Sequence, residues 1–213
     1  MGTLMTSISG IRGIVGDGLD PYTIVKYVNA YADFIKEGKV VVGRDSRISG
    51  EMVKNITIGT LMAKGIEVVD MGICPTPTVQ FNVKELNASG GVAISASHNP
   101  NQWNALKLLN KTGQFLSPEE YNLMMNNLDN SQKEFRKWNE LGSKIEYSDG
   151  IKNHINAILN LDIIDLAAIR KKIYKVVADC VNGAGAFCVP EFLREFGCEV
   201  IEVNCDFNGI LVE

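Results

Sequence analysis

Apolar residues recur at helical spacing from Tyr22 to Lys36, where Ile24, Tyr27, Val28, Tyr31, Phe34 and Ile35 share one face and Gly38 ends the run. Lys39–Val42 follows with three consecutive valines, the mark of a strand buried on both faces. Ser49–Lys64 resumes the helical period, Ile66–Met71 reads as a second strand, Thr76–Leu86 as a helix behind Pro75, and Gly91–Ala96 as a third strand. Leu106–Leu109, the turn Lys111–Gly113 and Phe115–Leu116 suggest a hairpin-like addition. Ser117-Pro118-Glu119-Glu120 is a helix start, with serine as cap, proline at the first position and acids in the first turn.

From Asn126 to Gly150 the chain turns polar, which places a first domain at 1–150 and a second unit at 151–213. In the second unit Ile151, Ile155, Ile158 and Leu159 mark a helix and Leu166–Lys172 another. Tyr174–Asp179 is a strand, Pro190–Phe196 a helix and Glu199–Val203 a strand. Alternating strands and helices define an α/β protein with a mixed, mainly parallel sheet sandwiched by helices, followed by an incomplete second α/β unit. About 60 residues and one crossover are few for an independent doubly wound domain, so the chain reads as truncated, with unpaired strand edges that favour self-association.

The chain has 213 residues, 46% apolar and 22% charged, an ordinary globular balance that can bury its own core without a disulfide or metal staple. Twenty-one Lys and Arg against 25 Asp and Glu leave a net charge of −4, which provides no basic field for nucleic acid. No apolar stretch approaches the roughly 20 residues that span a bilayer. The N-terminus lacks a basic segment followed by an apolar one, so a cytoplasmic address is expected. The five cysteines form no C-x-x-C pair and the two histidines, His98 and His154, are far apart, so any metal should be held by oxygen.

The stretch Gly91-Val92-Ala93-Ile94-Ser95-Ala96-Ser97-His98-Asn99-Pro100 runs from a buried strand into polar side chains. Ligands of open α/β sheets bind beyond the carboxyl ends of strands, where loop amides and helix N-termini converge, and Ser97 lies at such an end. A serine hydroxyl needs a base or cation to become a nucleophile, and His98, Arg12 and Lys107 are the candidates. The plainer account is a turn stabilised by serine hydroxyls and by Asn99-Pro100. A serine hydrolase is disfavoured, because adjacent Ser97 and His98 leave the backbone in different directions and no G-x-S-x-G elbow occurs.

Ser97-His98-Asn99-Pro100 resembles the phosphoserine loop of the α-D-phosphohexomutases, the superfamily of phosphoglucomutase, phosphomannomutase and phosphoglucosamine mutase. Ser9-Gly10-Ile11-Arg12-Gly13 resembles its S-G-x-R-G motif and Val42-Gly43-Arg44-Asp45-Ser46-Arg47 its G-R-D-x-R motif. Asp179-Cys180-Val181-Asn182-Gly183-Ala184-Gly185 resembles its D-x-x-N-G-A-G motif. The four occur in family order over nearly the whole chain. The resemblance implies that Ser97 carries a phosphoryl group and exchanges it with a hexose phosphate through a bisphosphate, moving phosphate between C1 and C6. It implies that Arg12 and Lys107 neutralise the phosphoryl or assist proton transfer, that His98 orients or exchanges the proton, and that the Ser97 phosphate is one ligand of Mg²⁺. Hexose 1,6-bisphosphate would be the activator.

The chain departs from the family pattern in several places. The Asp-rich D-G-D-x-D-R loop, the G-E-x-S-G sugar loop and the R-x-S-G-T-E-P phosphate loop do not occur in this sequence. Ala105 stands where many relatives have glycine, and Phe207-Asn208-Gly209-Ile210 resembles the family's approach to a proline-rich F-P-R-x-P-E-P segment but continues as Leu211-Val212-Glu213. Arg44, Asp45 and Arg47 are expected to fix a loop by ion pairs rather than touch ligand. Two other readings stay open. One is a dinucleotide site at Gly183-Ala184-Gly185 with Glu202 on the ribose, weakened by Cys188 at the third glycine position. The other is a catalytically incomplete module that binds phosphosugar or assembles with a partner.

Overall fold

The computed structural model describes residues 2–130 and 135–212, so part of the polar stretch around 131–134 and the terminal Glu213 lie outside the described residues. The order of elements in the first region is β1 (Met5–Ser7), β2 (Gly10–Val15), β3 (Gly18–Leu19), α1 (Pro21–Ile35), β4 (Lys39–Arg44), α2 (Gly50–Ala63), β5 (Glu67–Ile73) and α3 (Thr76–Glu85). It continues with β6 (Gly90–Ile94), β7 (Trp103–Leu109), α4 (Pro118–Asn130), β8 (Lys144–Glu146) and α5 (Gly150–Leu159). These strands form one sheet in the order β1-β2-β7-β6-β4-β5-β8, with β3 beside β2. The half β6-β4-β5-β8 is parallel, and β1, β2, β7 and β6 pair antiparallel.

The valine run of β4 explains the layers. Successive side chains of a strand face opposite sides. Val40 and Val42 therefore enter one core with Ile24, Val28, Val53 and Leu61 of α1 and α2, while Val41 enters the other with Val79 and Val83 of α3. Met124 of α4 belongs to the first core, and Ile151 of α5 packs on the second. His154 of α5 stacks on Phe81, ring centroids 4.9 Å apart, and its Nδ1 lies 3.1 Å from Thr78 Oγ1. Helix starts follow their local sequence. Asp20 caps α1 by accepting from the Thr23 amide at 2.7 Å, and Ser117 and Glu120 close a reciprocal box before α4, at 2.8 and 3.2 Å.

The second region contains α6 (Leu166–Arg170), β9 (Lys175–Asp179), a single 3₁₀ turn at Ala184–Phe187, α7 (Val189–Glu195) and β10 (Glu199–Val203). Strands β9 and β10 form a separate parallel two-stranded sheet. Ala178, Cys180 and Ala186 form its small core with Val189, Leu193 and Val200, while Val177, Ile201 and Val203 are exposed. Residues 207–212 return to the first region as a strap. The Ile48 amide donates to Gly209 O at 3.1 Å, the Val212 amide to Val181 O at 3.0 Å, and Phe187 packs on Phe207 with ring centroids 4.3 Å apart. Among the described residues no helix is long and apolar enough to cross a membrane.

The α/β alternation follows the hydrophobic pattern, and most helices and strands stand where the periodicity puts them. The exception is Leu106–Leu109, expected in a hairpin-like addition, which lies instead in the interior strand β7, because β2 and β6 take its backbone hydrogen bonds and Phe115 meets it through the single pair with Leu109. The additions are β1, β2, β3 and β8. Glycines interrupt the apolar pattern of β2, and β1 and β8 are exposed three-residue edges with no buried face to mark them.

Candidate active site

Ser97 follows β6, in the connection that turns back into antiparallel β7. Its backbone is left-handed at φ 57°, a conformation rare for a residue with a β-carbon. Two local bonds support it: the Ser97 amide donates to Ser95 Oγ at 3.2 Å and the Asn99 amide to Ala96 O at 3.1 Å. The turn chemistry expected of this stretch is therefore present, and it leaves Ser97 and His98 exposed.

The two cations reach Ser97 through the sheet. Arg12 of β2 pairs with Ala105 of β7, and Lys107 of β7 pairs with Ala93 of β6. Directly opposed residues share a face, and so do residues two apart, so Arg12, Ala105 and Lys107 stand on one side. Gly10 permits the close approach of β2 to β7. Its φ is 127°, and a β-carbon there would lie 2.5 Å from Leu106 O.

Arg12, Ser97, His98 and Lys107 line one cavity of about 270 Å³, together with Ser7, Ser9, Ser95 and Phe115. Ser97, Ser95 and Lys107 also line a larger cleft of about 530 Å³ between the two regions, walled by Arg44, Thr76, Gly183–Gly185 and Leu211. All four candidate residues are thus brought together, and Ser97 lines both spaces. Burial lowers the pKa of the Lys107 ammonium below the ordinary lysine value; the nearby Asp45 carboxylate opposes that shift and the Arg47 cation adds to it. Ser97 Oγ and His98 Nδ1 are 3.5 Å apart, nearer than side chains facing opposite ways but longer than a working nucleophile–base bond of roughly 2.6–3.2 Å.

The G-R-D-x-R residues behave as expected of loop anchors. Arg44 pairs with Glu51 at 3.1 Å, and Arg47 with Asp45 at 3.1 Å beneath the serine loop. Two residues not singled out beforehand matter here. Ser95 caps the Ser97 amide, a role signalled by its position two residues earlier. Asn101 brackets the strap, donating from Nδ2 to Leu211 O at 3.0 Å and accepting from the Leu211 amide at 2.9 Å. No local signal could show that, because the partner lies 110 residues away.

The dinucleotide reading loses its geometry. Gly183-Ala184-Gly185 opens a four-residue 3₁₀ turn rather than a helix, and Glu202 is engaged by Arg194. For Mg²⁺, which favours six oxygen ligands, no cluster of three or more His, Cys, Asp or Glu side chains occurs among the described residues. Asp45 is held by Arg47.

The chain thus combines an α/β/α layering with a strand-end serine that shares a cavity with two cations, and comparison with known proteins gives it a family. The phosphoglucomutase/phosphomannomutase alpha/beta/alpha domain I model matches residues 5–135 and the corresponding domain II model residues 152–213, so the chain belongs to the phosphoglucomutase/phosphomannomutase family. A phosphoglucomutase/phosphomannomutase of Thermococcus kodakarensis is 40% identical over 205 residues, covering 94% of this chain and 44% of the relative. A phosphoglucosamine/phosphogalactosamine mutase of Sulfurisphaera tokodaii is 36% identical, covering 94% and 44%. A crystal structure from Thermus thermophilus, named among the phosphomannomutases, superimposes with TM-score 0.80 at 26% identity, covering 99% of this chain and 49% of that one. The relatives are named as mutases, which makes the family enzymatic, and the chain spans less than half of their length.

Proposed function

We propose that this chain carries the phosphoserine portion of a phosphohexomutase. Ser97 Oγ bears a phosphoryl group and passes it to a free hydroxyl of a hexose monophosphate. The Oγ–P bond breaks, a sugar O–P bond forms, and the hydroxyl proton leaves as Ser97 is freed. The resulting bisphosphate turns over and returns its other phosphoryl to Ser97, so that phosphate moves between C1 and C6. Transfer of this kind is limited by charge on the phosphoryl oxygens, which Arg12 and the partly desolvated Lys107 are placed to neutralise. His98, whose Nδ1 stands 3.5 Å from Oγ, holds or exchanges the proton once it closes to hydrogen-bond distance. Mg²⁺, when bound, would supply further charge neutralisation. The ligand this chain contributes is the Ser97 phosphate itself, and no step here depends on others. Glucose or another hexose 1,6-bisphosphate is the activator because it can load Ser97.

The observation that carries this reading is the convergence of Ser97, His98, Arg12 and Lys107 on one cavity from three neighbouring strands. The test is the intact mass of the chain after incubation with hexose 1,6-bisphosphate and Mg²⁺, with fragmentation to place any adduct. A single phosphoryl on Ser97, absent in Ser97→Ala, is expected. A chain that stays unmodified, before and after that treatment, would favour instead a module that binds phosphosugar without turning it over.

A further inference from the structure

Arg47 is 1% exposed, the bulkiest of the fully buried side chains, and none of the roles above requires it to touch ligand. A guanidinium has five N–H donors in a planar fork. Here all five are engaged. Nε donates to Asp45 Oδ2 at 3.1 Å, Nη1 to the carbonyls of Pro100 at 2.7 Å and Trp103 at 3.2 Å, and Nη2 to those of Ser97 at 3.0 Å and Asn99 at 2.7 Å. Asp45 Oδ1 also accepts from the Arg47 amide at 3.1 Å, which fixes the carboxylate and with it the fork.

From this geometry we infer that Arg47 is the positioning residue of the serine loop. It gathers four carbonyls of residues 97–103 onto one buried cation, so the loop follows the shape of the guanidinium. The Ser97 carbonyl is one of the four, and this bond holds the left-handed backbone from which Oγ projects into the cavity shared with Arg12 and Lys107. Asp45 compensates the buried charge and orients it. Lysine cannot replace it: three donors on a flexible stem cannot satisfy four carbonyls and a carboxylate in one plane. The catalytic consequence rests on the phosphoserine reading above, whereas the anchoring of the loop does not.

The experiment uses the full chain with Arg47→Lys and Arg47→Met. Lysine retains a partner for Asp45, so that variant remains informative if the methionine variant does not fold. Amide hydrogen exchange is followed across the chain, and single-turnover loading of Ser97 is timed against hexose 1,6-bisphosphate concentration. In Arg47→Lys the amides of 97–103 should exchange faster while those of α1 and β4 are unchanged. Its maximal loading rate should fall about 100-fold, the scale of an ångström-sized misplacement, with half-saturation within about twofold of the parent. A parent-like loading rate with unchanged loop exchange would overturn the inference, as would exchange rising equally throughout the chain, which marks a purely global role. Should the parent chain itself fail to load at Ser97, the mutase reading falls, and loop exchange in the variants alone decides whether Arg47 anchors the loop.

Discussion

Replacing Asn101 by alanine should release the C-terminal strap from the serine loop by a calculable amount. The side chain makes two hydrogen bonds to the backbone of Leu211, at 3.0 and 2.9 Å, and alanine makes neither. A typical intramolecular hydrogen bond contributes about 1 kcal/mol net, so the pair is worth about 2 kcal/mol. At 1.4 kcal/mol per tenfold, that raises the local opening equilibrium about 25-fold. The strap keeps its bonds from Ile48 to Gly209 and from Val212 to Val181, and the Phe187–Phe207 contact, so the opening is confined to the stretch between Gly209 and Val212. Native-state hydrogen exchange reads it directly. The Leu211 amide should exchange about 25-fold faster in Asn101→Ala, with the amides of β4 unaffected. A change below about threefold at Leu211 would refute the reasoning, because it would mean that water replaces the amide bracket at no cost.

The other expectations concern charge, burial and backbone. Transfer to or from Ser97 should slow as pH rises through the lowered pKa of Lys107, because deprotonation removes the cation; in Lys107→Arg this alkaline limb should disappear from the pH–rate profile. Burial lowers the His154 pKa, so the unfolded chain takes up its proton first. His154 should therefore contribute stability above the unfolded value of about 6.5 and lose it as pH falls through that value towards the folded one. Urea midpoints across that window should flatten in His154→Phe. Gly10→Ala should destabilise by about 1–3 kcal/mol, since its new carbon meets Leu106 O and its φ is 127°, and a thermal midpoint equal to the parent's would contradict the close approach of β2 and β7.

The central layers were legible because β4, β5 and β6 are apolar on both faces and the helices between them repeat with a clean period. The N-terminal strands were not, since β2 joins the central sheet by pairing with β7, which lies some 90 residues later. Arg12, Ser97, His98 and Lys107 were found through motif resemblance, and β-sheet register then explains why they meet. The turn at Ser97 was legible from the serines and Asn99-Pro100 around it, but the bond from Arg47 to its carbonyl and the Asn101 bracket were not, because in each case the partner is distant in sequence.

Because Arg12 and Lys107 rise from neighbouring strands in fixed register with Ala105 and Ala93, their separation is a property of the backbone lattice rather than of flexible loops. Adjacent strands stand about 4.8 Å apart whatever side chains they carry. The site should therefore tolerate exchange of one residue for another far better than a change of chain length. Inserting a single residue into β7 before Lys107 would turn that lysine towards the opposite core and bring the neighbouring leucine to the face that Arg12 occupies. If the chain serves a mutase as proposed, adaptation to a different sugar would be channelled away from these strands, into segments whose lengths can vary without disturbing the pair of charges.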